Sequence, residues 1–224
     1  MLKAVFFDLD GTLTVLALPL DAMRRDTKKY YRGQGAPDDL FDSADGISSS
    51  RAKAREFFFS QGMSESEWER MELEIDKTLS EHEGWAATKA ELIDGSIDVV
   101  RELKALGLKT AVLTNNGRTA VDLILRQLPL QGLFDVIQTR NESPSPKPFP
   151  EGLRKLMEHL GVHTNEVVYV GDARIDAAAA KRAGIEFWGV TTGETPEEDL
   201  IEEGASQVFN SLHEIIEEVK SRIA

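Results

Sequence analysis

Hydrophobic and polar positions divide the 224-residue chain into three rhythms. Residues 2–8, LKAVFFD, form an apolar, β-prone run that reads as a buried strand. From about 16 to 90 the chain is polar, rich in Arg and Glu, and helical in period. LPLDAMRRDTKKYYR (18–32), SSSRAKAREFFFSQG (48–62) and SESEWERMELEIDKTLSEHEG (64–84) each read as one helix. Gly62 stops the second. The third opens on a capping box, Ser64 with Glu67, and Gly84 is its expected end. The run Phe57, Phe58 and Phe59 reads as packing. After Gly95 helix and strand alternate. Strands are expected at LKTAVLT (108–114), FDVIQT (134–139), EVVYVGD (166–172), IEFWGV (185–190) and SQVF (206–209). Helices ending at Gly107 and Gly161, and others at 117–128, 174–184, 196–204 and 212–223, separate or follow them.

Short β–α alternation of this kind implies an α/β fold with a Rossmann-like, parallel, doubly wound sheet. A lone first strand cannot satisfy its backbone hydrogen bonds, so it belongs to the later sheet. The helical stretch is then an insertion. The expected organisation is a catalytic core of residues 1–15 and 92–224, and an all-helical cap of 16–91.

Composition narrows the classes. With 41% hydrophobic residues the chain can support one fair-sized core, or a core and a small module. There is no cysteine, so disulfides and thiolate metal sites are excluded while a carboxylate site for a hard cation stays open. The net charge of -13 argues against nucleic-acid binding and for solubility. No apolar run approaches the roughly 20 residues of a membrane span. A cytoplasmic protein without a membrane partner is expected, as a monomer or weak homodimer.

In open α/β sheets, sites form beyond the C-terminal ends of the strands. The first strand delivers Asp8 and Asp10 there. The strand at 108–114 delivers Thr114, Asn115 and Asn116, and the strand at 166–172 delivers Gly171, Asp172 and, one helical turn on, Asp176. The loop SPSPKPFPEG delivers Lys147 between prolines. Each piece alone has a bland reading: a polar turn, a strand end, a helix N-cap, a solvated lysine. Taken together, several acids meet one hydroxyl and one ammonium, and like charges that close need a counter-charge.

Phosphoryl transfer fits. Mg²⁺ takes carboxylates, water and phosphate oxygens, and Asp8, Asp172 and the Asp10 carbonyl are its candidate ligands. Asp8 can attack phosphorus in line. Asp10 can protonate the leaving oxygen and then activate water. Thr114 and Lys147 can hold the transferring oxygens.

DLDGT at Asp8–Thr12, LTNN at Leu113–Asn116, PKPFP at Pro146–Pro150 and GDARID at Gly171–Asp176 resemble the four ordered motifs of the haloacid dehalogenase-like superfamily. AKRAGIEFWGVTTG (180–193) is similar to the phosphoglycolate phosphatase-like group within it. The resemblance implies a Mg²⁺-dependent phosphatase acting on a small phosphorylated metabolite, with Asp8 as nucleophile and Asp10 as acid/base. Thr114 and Lys147 match its phosphate-holding residues and Asp172 its metal ligand. Asp176 matches an outer ligand or hydrogen-bond partner, and the backbones of Leu9 and Asn115 match further phosphate contacts. The cap hinge, LTVLALPLDAMRR (13–25), departs from the family's usual continuation.

Two alternatives stand beside this. A sugar phosphomutase of the same superfamily shares the catalytic residues and differs in how its cap excludes water. A phospho-accepting signalling module also gathers acids, Thr and Lys at strand ends, but it places its acids on separate strands and carries no large insertion. Arg24, Arg25, Arg32, Arg51 and Arg55 in the cap either read an anionic substrate tail or face solvent.

Overall fold

The computed structural model describes residues 1–223. Six strands form one wholly parallel sheet. They are β1 (Ala4–Phe7), β2 (Lys109–Leu113), β3 (Val136–Gln138), β4 (Val167–Gly171), β5 (Glu186–Val190) and β6 (Gln207–Phe209), in the order β3-β2-β1-β4-β5-β6. All six were expected from the sequence. Strand order reverses at β1, since β2 and β3 lie to one side of it and β4 to the other. That is the switch point at which a crevice opens beyond the strand ends.

Alternation along β1 explains the two layers of core. Val5 and Phe7 face one side of the sheet, where they pack with Val112, Val170 and Trp188. Helices α4 (Ser96–Ala105), α5 (Arg118–Gln127) and α9 (Leu212–Ile223) cover that side through Leu103, Ile124 and Ile215. Ala4 and Phe6 face the other side, with Tyr169 and Phe187. There α6 (Glu151–Leu160), α7 (Arg174–Ala183) and the short α8 (Glu197–Glu202) contribute Leu156, Ala180 and Leu200. Both faces are buried, which is why the strands read as continuous apolar runs.

The chain divides into two compact units, one of Met1–Ala17 with the chain from Ala87 onward, the other Leu18–Ala86. Within the first unit the departing and returning segments are zipped together. Val15 N–H donates to Glu91 at 2.9 Å and Ile93 N–H to Leu13 at 3.0 Å. The Ser96 hydroxyl donates to the Leu13 carbonyl at 2.7 Å.

The second unit contains α1 (Leu20–Gly33), α2 (Ile47–Ser60) and most of α3 (Glu65–Ala87). Its core is Tyr31, Phe41, Ala54, Phe58, Trp68 and Met71, with Tyr31 stacked on Trp68 at 5.9 Å. The expected capping box forms: Ser64 N–H donates to Glu67 Oε2 at 2.8 Å. The expected stop at Gly84 does not. α3 runs on to Ala87 through buried Ala86 and Ala87, and that packing outweighs the roughly 1 kcal/mol of helix propensity lost at glycine. Four arginines of this unit are held by acids of the same unit. Arg24 pairs with Asp21, Arg32 with Asp38, Arg51 with Glu72 and Arg55 with Glu65. Arg25 is exposed. Among the described residues no helix is long and apolar enough to cross a membrane.

Candidate active site

The loop that follows β1 turns sharply. The Leu9 carbonyl accepts from Leu13 and Thr14 N–H, both at 2.8 Å, and Gly11 N–H donates to the Thr14 carbonyl at 2.7 Å. Gly11 sits at φ +84°, a conformation natural to glycine. A Cβ there would collide with the Asp172 carboxylate, and so would one on Gly193 in the loop after β5. Two glycines thus let backbone close on Asp172 from two loops. The Thr192 hydroxyl joins those loops by donating to the Gly11 carbonyl at 2.6 Å.

Asp8 and Asp172 stand at the ends of neighbouring strands, β1 and β4. Asp176 rises from the first turn of α7. Carboxylate oxygens of the three lie within 4.8 Å of one another, and all three residues are buried. The Lys147 side chain is 2% exposed. It donates to Asp8 Oδ1 and to Asp176 Oδ1, each at 2.6 Å, and to the Tyr169 hydroxyl at 3.1 Å. Tyr169 in turn donates to Asp176 Oδ1 at 2.9 Å, and Ala173 N–H donates to Asp176 Oδ2 at 3.0 Å. Asp176 is therefore engaged at both oxygens, and Asp172 accepts the Thr12 hydroxyl on Oδ1 at 2.9 Å and Glu194 N–H on Oδ2 at 3.4 Å.

Asp10 has partners of its own. Asn116 Nδ2 donates to its Oδ2 at 2.5 Å and the Thr14 hydroxyl to its Oδ1 at 3.1 Å. Thr114 is buried, and its hydroxyl oxygen accepts from Asn116 N–H at 3.1 Å. The Leu9 side chain is packed in the core, which leaves only its backbone for the site. Asn115 turns its side chain towards Lys147, accepting from the Lys147 N–H at 2.8 Å.

Lys147 pairs with two of the three buried carboxylates, and burial and crowding of acids show in the titration of Asp8 and Asp172. Burial pushes Asp8 well above the usual carboxylate range; the pull of Lys147 opposes this, and Asp176 and Asp172 add to it. Burial and then Asp176 push Asp172 up to about 7, against the Thr12 hydrogen bond and Lys147. Burial disfavours the Lys147 ammonium, but Asp176 and Asp8 outweigh it, so Lys147 stays charged. Burial, then Asp176 and Asp8, raise the Tyr169 phenol, which is neutral. A divalent cation beside Asp8 and Asp172 would relieve this crowding. The donor set, all carboxylate or carbonyl oxygen with no sulfur, suits a hard metal such as Mg²⁺.

Several residues at the site carried no assigned role in the sequence reading. Thr12 and Asn116 belong to motifs already marked and Thr14 follows the first of them by two residues, but which acid each would serve depends on the turn. Tyr169 is the one side chain in the VVYVG strand with a polar tip, and its phase along β4 points it to the face that carries Lys147. The loop Thr192-Gly193-Glu194 follows β5, the strand beside β4, so strand order is the signal that places it against Asp172.

Fold and site together define a hydrolase built on a Rossmann-like sheet. The family model for haloacid dehalogenase-like hydrolases matches residues 5–190, and the chain belongs to that family. It is similar to a phosphoglycolate phosphatase of Colwellia psychrerythraea, 26% identical over 231 residues, covering 97% of both chains. A pyrophosphatase, PpaX, of Bacillus cereus is 28% identical over 184 residues, covering 82% of this chain and 80% of that protein. In structure it resembles a haloacid dehalogenase-like hydrolase from Bacteroides fragilis. That match has a TM-score of 0.69 and 22% identity, and covers 96% of this chain and 100% of the other. The enzyme is a hydrolase of the phosphatase type. That membership sets aside the phospho-accepting signalling module.

Proposed function

We propose that the enzyme is a Mg²⁺-dependent phosphatase acting on a small phosphorylated metabolite through an aspartyl-phosphate on Asp8. The first candidate substrate is 2-phosphoglycolate, supported by a relative named a phosphoglycolate phosphatase that matches over nearly the whole chain. The observation that carries the reading is the set of buried acids, Asp8, Asp172 and Asp176, around the Lys147 ammonium at the β1/β4 switch point.

Asp8, Asp172 and the Asp10 carbonyl would hold the metal. Bound Mg²⁺ supplies charge neutralisation, so that a phosphate dianion can approach an anionic carboxylate. Lys147, Thr114 and the backbone N–H groups of Leu9 and Asn115 hold the equatorial oxygens. An Asp8 carboxylate oxygen forms a bond to phosphorus as the bond to the ester oxygen breaks. Asp10, as the acid, gives its proton to that oxygen. Asp10, now a carboxylate, takes a proton from water. The water oxygen bonds to phosphorus, the Asp8–phosphorus bond breaks, and inorganic phosphate leaves. Asn116 and Thr14 orient Asp10 for both transfers.

Phosphate release should be measured from 2-phosphoglycolate, inorganic pyrophosphate and sugar phosphates, with Mg²⁺ and with chelator. The expected result is release that requires Mg²⁺, with kcat/KM highest for a small carboxylate-bearing monoester. Isomerisation of a sugar phosphate without net release would overturn the assignment in favour of a mutase.

A further inference from the structure

Lys147 lies in the run Pro146-Lys147-Pro148. Neither proline has an N–H, so Lys147 supplies the one backbone donor of that run. The Asn115 carboxamide takes it. Lys147 N–H donates to Asn115 Oδ1 at 2.8 Å, and Asn115 Nδ2 donates to the Lys147 carbonyl at 2.9 Å. One side chain therefore satisfies both backbone groups of the lysine, a two-point contact that needs a donor and an acceptor together. The loop after β3 grips Asn115 in return. Arg140, 9% exposed, donates from Nη1 to the Asn115 carbonyl at 2.5 Å, and its N–H donates to the Asn116 carbonyl at 3.0 Å.

We propose that the Asn115 side chain is a positioning residue that fixes the root of Lys147, holding its ammonium in register with Thr114, with Arg140 as the brace behind it. A lysine has four rotatable bonds to its ammonium, so carboxylates at the head alone leave the direction of approach open. Asn115 follows Thr114 directly in sequence. Anchoring Lys147 on Asn115 ties the two phosphate-holding groups into one unit whose spacing no longer depends on two independent loops. Only the backbone of Asn115 is available to substrate in this arrangement, because its carboxamide is spent on Lys147.

This role rests on Lys147 as a phosphate-holding residue, so two readouts are needed. The first uses no substrate: residue-resolved amide hydrogen exchange at Lys147, by NMR, in wild type, Asn115→Ala and Asn115→Asp. Asn115→Ala should speed Lys147 exchange by at least about tenfold. Asn115→Asp keeps the acceptor but loses the donor, and should keep the Lys147 amide protected. The second is turnover of an aryl phosphate by the Mg²⁺-loaded enzyme. Asn115→Ala should lose kcat by about 10²-fold, as expected for a misplaced group, with little change in KM or Tm. Asn115→Asp, with one of two anchors, should fall between and serves if Asn115→Ala does not fold. Unchanged Lys147 exchange in Asn115→Ala overturns the proposal, as does a lowered Tm with kcat retained. Altered exchange in a protein whose wild type turns over no phosphate ester overturns the phosphatase assignment and leaves the anchor standing.

Discussion

Asp8 and Asp10 are two residues apart and meet different surroundings. Asp8 faces Lys147 among buried acids, while Asp10 accepts from the Asn116 amide and the Thr14 hydroxyl. A nucleophile needs a neighbouring positive charge, and a general acid needs a place where its proton is not stripped by one. The division has a kinetic signature. Asp10→Asn should slow an alkyl phosphate by about 10²-fold or more, since general acid catalysis is worth that much. With an aryl phosphate, whose leaving group departs without a proton, the formation of the intermediate should be far less affected, which rapid-quench kinetics can measure. The paired acids were legible in the sequence because they stand in one short motif. Tyr169 had no assigned role because a tyrosine on a buried strand has the same pattern as any core aromatic. Its partners Lys147 and Asp176 come from two other segments that only the fold brings to it.

At the scale of elements, the period of the apolar positions gave strands and helices their places, and glycine gave most of their ends. Gly62, Gly107 and Gly161 all adopt positive φ where the chain leaves a helix. Gly84 does not, and a Cβ there would meet nothing within 4 Å. Gly84→Ala should therefore stabilise the protein by about 0.5–1 kcal/mol, seen as a higher denaturant midpoint. A local sequence cannot distinguish these cases, because what carries α3 past Gly84 is the burial of Ala86 and Ala87.

The link between α5 and the loop after β3 has a pH dependence. Partial burial raises the Glu142 carboxyl, but hydrogen bonds from Arg118 and Thr139 outweigh it and bring Glu142 down to about 2. A depressed carboxylate adds stability above its unfolded value near 4.3, and that stability is lost as pH falls towards the folded value. The Tm of wild type should exceed that of Glu142→Gln at neutral pH. The gap should close as pH drops from about 4.5 towards 2. A gap that persists at the acid end would place the contribution of Glu142 elsewhere.

For the whole molecule, charge is the common thread. A chain of net charge -13 folds several acids into one site with a single lysine, so its metal-free state keeps an uncompensated excess there. Mg²⁺ should therefore stabilise the folded protein. At a hundredfold excess over Kd the Tm should rise by about 5–10 °C, and the rise should vanish in Asp172→Asn and in chelator. The change of rhythm in the sequence falls near the boundaries of the two compact units. The arginines of the helical segment were visible only as charges, since their pairing with Asp21, Asp38, Glu72 and Glu65 depends on how helices and loops meet.

Asp8 is the residue proposed to carry the phosphoryl group. Acid quenching of the enzyme during turnover of a phosphate ester with Mg²⁺, followed by mass spectrometry of the N-terminal peptide, tests it directly. Phosphate is expected on Asp8 in wild type, more of it in Asp10→Asn with an aryl phosphate, and neither label nor turnover in Asp8→Asn. Full turnover by Asp8→Asn, or a covalent phosphate on any other residue, would contradict it.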